Sequence, residues 1–141
     1  MKYELANETK TVGNVTLHRI KALKRVGNVE KGDLGGWIEC ESNLSHEGNS
    51  WVFGDALVYG DALVYGDAQV SGDAQVYGKA LVYGDAWVDG KSRVYGDARV
   101  SGNTRISGNT RVYGDAPTPN VTESECVSIG GKKYRLVEVK D

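Results

Sequence analysis

From Val52 onward the apolar and polar positions follow a period of six. An aliphatic residue stands at Val52, Val58, Val64, Val70, Val76, Val82, Val88, Val94, Val100, Ile106 and Val112, eleven times without a slip. Numbering that residue as position one, position three is Gly in all eleven units, position four is Asp, Asn or Lys, and position five is Ala, Ser or Thr. Alternation around a single Val predicts a very short strand that turns one side chain inward and its two neighbours outward. The Gly-Asp or Gly-Asn pair predicts a corner, because these residues accept positive φ at little cost. A small fifth residue fits inside that corner. One strand and one corner therefore take six residues, three such sides close a triangle, and eighteen residues make one coil.

The phase continues weakly upstream as HEGNSW from His46, CESNLS from Cys40 and LGGWIE from Leu34, so residues 34–117 read as fourteen hexads. Residues 1–33 hold VTLHRIKAL after the turn signal Gly13-Asn14 and are expected to form a β cap on the first coil. Pro117 and Pro119 are expected to stop the coil, since proline removes ladder donors. Residues 118–141 then read as a C-terminal hairpin turning at Gly130-Gly131. A Gly in every unit argues against a coiled coil.

This repeat resembles that of the hexapeptide-repeat proteins. The resemblance implies an all-β fold, a left-handed parallel β-helix in the form of a triangular solenoid of about five coils stacked about 4.8 Å apart. The N-terminal words KYEL, TLHRIKAL, KGDLGGWIE and ESNLSHEGN, with the following WVFGDA, resemble a group of short hexapeptide-repeat proteins of bacteriophages and prophages. Those are labelled transferases or polymer-forming proteins for their repeats, which names a shape and leaves function to be argued from a site.

An eighteen-residue coil sorts the outward residues into columns. One face carries Tyr59, Tyr77, Tyr95 and Tyr113 beside Leu57, Gln75, Arg93 and Arg111. A second carries Leu63, Tyr65, Leu81 and Tyr83, then Arg99 and Ser101. The third carries Trp51, Phe53, Gln69, Ser71, Trp87, Asp89, Arg105 and Ser107. Aromatic and leucine columns of this kind mark interfaces, and the family resemblance implies a homotrimer. Leu57, Tyr59, Leu63, Tyr65, Leu81 and Tyr83 are the expected contact. The competing reading is that stacked tyrosines only stabilise the sheet.

Composition and charge narrow the chemistry. A net charge of −2 over 141 residues gives no bulk attraction to extended nucleic acid or to membranes. The start MKYELANETK has no apolar run for a signal peptide, so a cytoplasmic protein is expected, in the host if phage-encoded. The charges are uneven along the axis. Val52 to Trp87 holds five Asp and one Lys, whereas Val88 to Ala116 holds five Lys or Arg and three Asp. Guanidinium groups beside aromatic faces can hold a planar anion. Tyr77, Arg93, Tyr95, Arg99, Arg111 and Tyr113 are therefore the candidate site for a small anionic or nucleotide-like ligand held between subunits, against the alternative of a solvated charged surface.

No metal or cofactor site is expected. The acidic columns, Asp55 over Asp73 and Asp67 over Asp85, read as corner residues chosen for backbone conformation, and Cys40 and Cys126 as buried reduced thiols. Many proteins with this repeat are CoA-dependent acyltransferases that use a histidine base and a long loop leaving the coil. Here the two histidines are His18, in the cap, and His46, expected to point inward, and no insertion interrupts Val52 to Ala116. The sequence therefore favours a non-catalytic homotrimer for binding or assembly, with a minimal acyltransferase or a purely structural spacer as alternatives.

Overall fold

The computed structural model describes residues 1–113 in full and, beyond them, only the backbone of short strands between 117 and 138, among them Pro117–Thr118 parallel to Arg99–Val100. The expected turn at Gly130-Gly131 lies outside the described residues, whereas the strands on either side of it, Cys126–Ile129 and Lys132–Arg135, are described and pair antiparallel.

The chain opens with β1 (Tyr3–Val12) and β2 (Val15–Ala22), an antiparallel pair turning at Gly13, where φ is 61°. Next, β3 (Leu34–Ile38) lies antiparallel to β2 and begins the coil. Eleven short strands follow, β4 to β14, from Trp51–Val52 to Thr110–Val112. They stack into three parallel walls, giving an all-β solenoid of about four turns. The first wall joins β3, β5 (Leu57–Val58), β8 (Gln75–Val76), β11 (Arg93–Val94) and β14 (Thr110–Val112), with β2 and β1 on its outer edge. The second joins β6 (Leu63–Val64), β9 (Leu81–Val82) and β12 (Arg99–Val100), and the third β4 (Trp51–Val52), β7 (Gln69–Val70), β10 (Trp87–Val88) and β13 (Arg105–Ser107).

The eighteen-residue register holds on every wall: Trp51 faces Gln69, Leu57 faces Gln75 and Leu63 faces Leu81. All eleven Val or Ile residues of position one are buried, and the position-five residues line the corners behind them, from Ala56 to Thr110. Gly at position three has positive φ from Gly48 to Gly108. At Gly48, Gly78, Gly84 and Gly90 the next coil also passes so close that a side chain has no room. A Cβ on Gly90 would lie 2.7 Å from the backbone nitrogen of Gly108.

Upstream of Val52 the register departs from the expected hexads. Ile38 pairs with Val58 and Leu44 bridges to Val64, a spacing of twenty residues. Ile38 and Leu44, both fully buried, take the inward place in the first coil, so Leu34, Cys40 and His46 do not. Gly48 nevertheless returns to phase, its positive φ and its close approach to Gly66 repeating the regular corner. The two extra residues thus fall between Leu44 and Gly48, which turns His46 out of the core. Cys40 is exposed, against expectation, with its Sγ 2.9 Å from the Ser42 hydroxyl.

The first coil ends in carbonyls that no earlier coil can satisfy, a cost that any stacked fold must meet. The cap supplies the donors. Lys2 Nζ donates to the Ser50 carbonyl at 2.8 Å and to the Ser50 hydroxyl at 3.1 Å. The Tyr3 hydroxyl donates to the Leu44 carbonyl at 2.6 Å. Within the first coil itself Asn43, fully buried, donates through its amide to the carbonyls of Gly60 and Ala62 in the next coil.

Candidate functional site

On the first wall position two is held by Tyr59, Tyr77, Tyr95 and Tyr113. Their rings stack in parallel at centroid separations of 5.1, 5.2 and 5.4 Å. The ladder forms because the register sets each residue directly over its equivalent in the next coil. Beside it runs the position-six column, in which Arg93 faces Gln75 on one side and Arg111 on the other. Burial is the main cause that raises the Tyr59 hydroxyl above its ordinary pKa. The neighbouring Tyr77 adds to the rise and Arg93 opposes it, so the Arg93 guanidinium acts on the tyrosine column.

The second wall repeats the device in two rungs. Tyr65 stacks on Tyr83 at 4.8 Å, Leu63 faces Leu81, and Arg99 follows Leu81 in the same column. On the third wall Arg105 lies over the Trp87 ring, 5.5 Å from its centroid, and pairs with Asp89 at 3.1 Å. Each wall thus carries an aromatic rung followed by an arginine.

The structure therefore gathers Tyr77, Arg93, Tyr95, Arg111 and Tyr113 on one wall and leaves Arg99 on another, beside Tyr65 and Tyr83. The expected contact residues also separate. Leu63, Tyr65, Leu81 and Tyr83 share the second wall. Leu57 is covered by the chain's own cap, packed with Leu17 and Trp37 and bordered by Tyr59. It is a core residue at the base of the tyrosine column and is not available to another subunit.

The histidines fall in the cap region. His46 stacks on Tyr3 at 4.1 Å, accepts the Lys2 backbone N–H at Nδ1, and places Nε2 2.7 Å from a Glu41 carboxylate oxygen. With one ring nitrogen accepting, the other donates to Glu41. Both nitrogens are thereby engaged in holding Lys2 and Tyr3 against the first coil. His18 lies in β2 opposite Thr9 and Ile38. Among the described residues no group of three or more His, Cys, Asp or Glu side chains assembles as a metal site.

Sequence reasoning missed a cavity of about 400 Å³ on the third wall. The turn Val26–Val29, closed by reciprocal backbone hydrogen bonds of 2.9 and 2.8 Å, overhangs it. Phe53, Gln69 and Trp87 form its floor on successive coils, and Asp67 and Asp85 stand at its side. The only signal in the sequence is that Phe53 and Trp87, in adjacent columns, share one wall. Nothing in the period places the turn above them.

The repeats have known counterparts. Residues 56–72, 68–84, 74–90 and 92–108, each about one coil long, match the YdcK beta solenoid repeat family. Together with the three walls, these matches make the chain a β-solenoid repeat protein, and its regular coils are similar to the YdcK repeat. No curated protein matches the chain.

Proposed function

We infer that this solenoid is a non-catalytic scaffold for binding and assembly. Its tyrosine and arginine wall holds a planar, anionic, nucleotide-like ligand against a neighbouring subunit of a homotrimer. One observation carries the reading: a four-rung tyrosine ladder stands in register beside Arg93 and Arg111. Tyrosine faces offer stacking surface, and guanidinium groups offer bidentate donors to phosphate or carboxylate. The half-buried Leu63, Tyr65, Leu81 and Tyr83 of the second wall supply the apolar contact between subunits. The resemblance to short phage and prophage proteins fits a sequestering role in the host cytoplasm. The engagement of both His46 nitrogens within the cap speaks against acyl transfer. A structural spacer is the second reading, favoured by the way the tyrosines already cover one another.

Light scattering on the purified chain is expected to give three times the monomer mass, and a monomer would remove the assembly. In a thermal-shift screen, nucleotides are expected to raise the unfolding temperature where acyl-CoA does not. Arg93→Ala and Tyr95→Ala each abolish that shift while the trimer persists. No shift with any anion would leave the spacer, and acyl transfer lost in His46→Ala would restore the enzyme.

A further inference from the structure

We propose that the cavity between the Val26–Val29 turn and the third wall is a second binding site, one for a small organic cation of the ammonium or guanidinium type. It lies apart from the tyrosine wall and does not depend on it.

The cavity combines an indole with carboxylates. Trp87 is 44% exposed, the most exposed tryptophan of the chain, although an apolar ring of that size is ordinarily buried in a solenoid this regular. Arg105, from the following coil, lies over the ring and is tied to Asp89. Arg105 is not part of the cavity lining, whereas Phe53 and Gln69, from the preceding coils, are. The indole is therefore pinned by Arg105 while still bordering the cavity. On the cavity side the same elements recur: the indole, the carboxylates of Asp67 and Asp85, and the amides of Asn28 and Gln69. Among the described residues no Lys or Arg lines that space. Asp67 and Asp85 are both exposed and occupy equivalent corners of adjacent coils, so their fields add; Asp67 also accepts the Asn49 backbone N–H and acts on Lys2, which leaves Asp85 the less engaged of the two. A cation entering the cavity meets an indole and two carboxylates, and it repeats the pairing that Arg105 makes with Trp87 and Asp89. A volume near 400 Å³ falls at the small end of the range for ligand sites.

The test is calorimetric titration of the full chain with spermidine and with arginine amide as cationic probes, and with glucose as a neutral one. Saturable binding of a cation, weakened about tenfold or more in Asp85→Asn and in Trp87→Ala and kept in Arg93→Ala, supports the site. Both substituted side chains are exposed, so the variants should unfold near the wild-type temperature, which a thermal melt verifies. Binding of spermidine that neither substitution changes is attraction to the acidic coils as a whole and overturns the site. So does the absence of saturable binding. Binding of glucose without the cations overturns the ligand class.

Discussion

Tyr77 lies between Tyr59 and Tyr95 with ring centroids 5.1 and 5.2 Å away, both contacts within 6° of parallel. Stacked aromatic pairs contribute about 0.5–1.5 kcal/mol each beyond the area they bury. Among the described residues Tyr113 has one such partner, Tyr95 at 5.4 Å, and is 53% exposed. Tyr77→Ala should therefore destabilise by about 1–3 kcal/mol, and Tyr113→Ala by clearly less. Urea denaturation of the two variants measures the difference, and equal losses would mean that stacking along the wall is not what holds the column.

The corner glycines separate two effects that the sequence alone merges. Gly54 and Gly90 both have positive φ, 59° and 68°. Gly54 has nothing near its absent Cβ, whereas a Cβ on Gly90 would meet the Gly108 nitrogen at 2.7 Å and its carbonyl oxygen at 2.8 Å. Gly54→Ala should cost only the backbone strain of about 1–2 kcal/mol. Gly90→Ala must also push two coils apart and should cost visibly more, read from thermal melts of both variants. A Gly90→Ala protein as stable as Gly54→Ala would show that the stack yields freely.

The buried position-five residues yield a stabilising change. Thr110 donates its hydroxyl to the Ser107 carbonyl at 2.8 Å, and Thr104 donates to Ser101 in the same way. Ser92 is equally buried, yet its hydroxyl has no hydrogen-bond partner among the described residues. Seven other corners carry a buried Ala there, from Ala56 to Ala98. Ser92→Ala removes an unsatisfied polar atom without opening a cavity and should stabilise by about 1 kcal/mol. A loss of stability on chemical denaturation would mean that the hydroxyl is bonded in solution.

The regular part of this fold was legible because one residue type per position answers one physical demand. Val52 to Val112 fixed the walls, and with them the stacking of Tyr59 on Tyr77. The first coil was not legible in the same way. His46 sits six residues before Val52, but the inward place belongs to Leu44, since two extra residues can bulge outward at an end where no earlier coil fixes the register. The roles of Lys2 and Tyr3 left no periodic trace, because they answer the carbonyls of the first coil alone, an end that occurs once in the chain. The cavity depends on a cap turn folding back over the third wall, a contact between residues far apart in sequence. Of the candidate ligand residues, five of six fell on one wall. Arg99 is the exception, because arginines six apart turn one side of the triangle at each step.

Lys2 gives the cap a pH signature of definite sign. Burial, with the nearby charge of Lys24, lowers its pKa from 10.5 to about 8, and Asp67 opposes the shift. Below about pH 8 the amine is charged in both states and the folded chain bears the full cost of burying that charge. As pH rises from about 8 towards 10.5 the folded form loses its proton first, the unfolded chain holds more protons, and stability rises. Tyr3, Tyr59 and Tyr65 act oppositely. Burial is the largest cause raising each of their pKa values, so above about pH 10 the unfolded chain deprotonates first and stability falls. The unfolding temperature should therefore climb between about pH 8 and 10 and then decline. Lys2→Met, which loses the donor to Ser50, should melt lower throughout and lose the climb while keeping the decline. Scanning calorimetry across that range decides the matter: a climb of the same size in Lys2→Met would place its origin in another group and leave Lys2 as an ordinary charged amine.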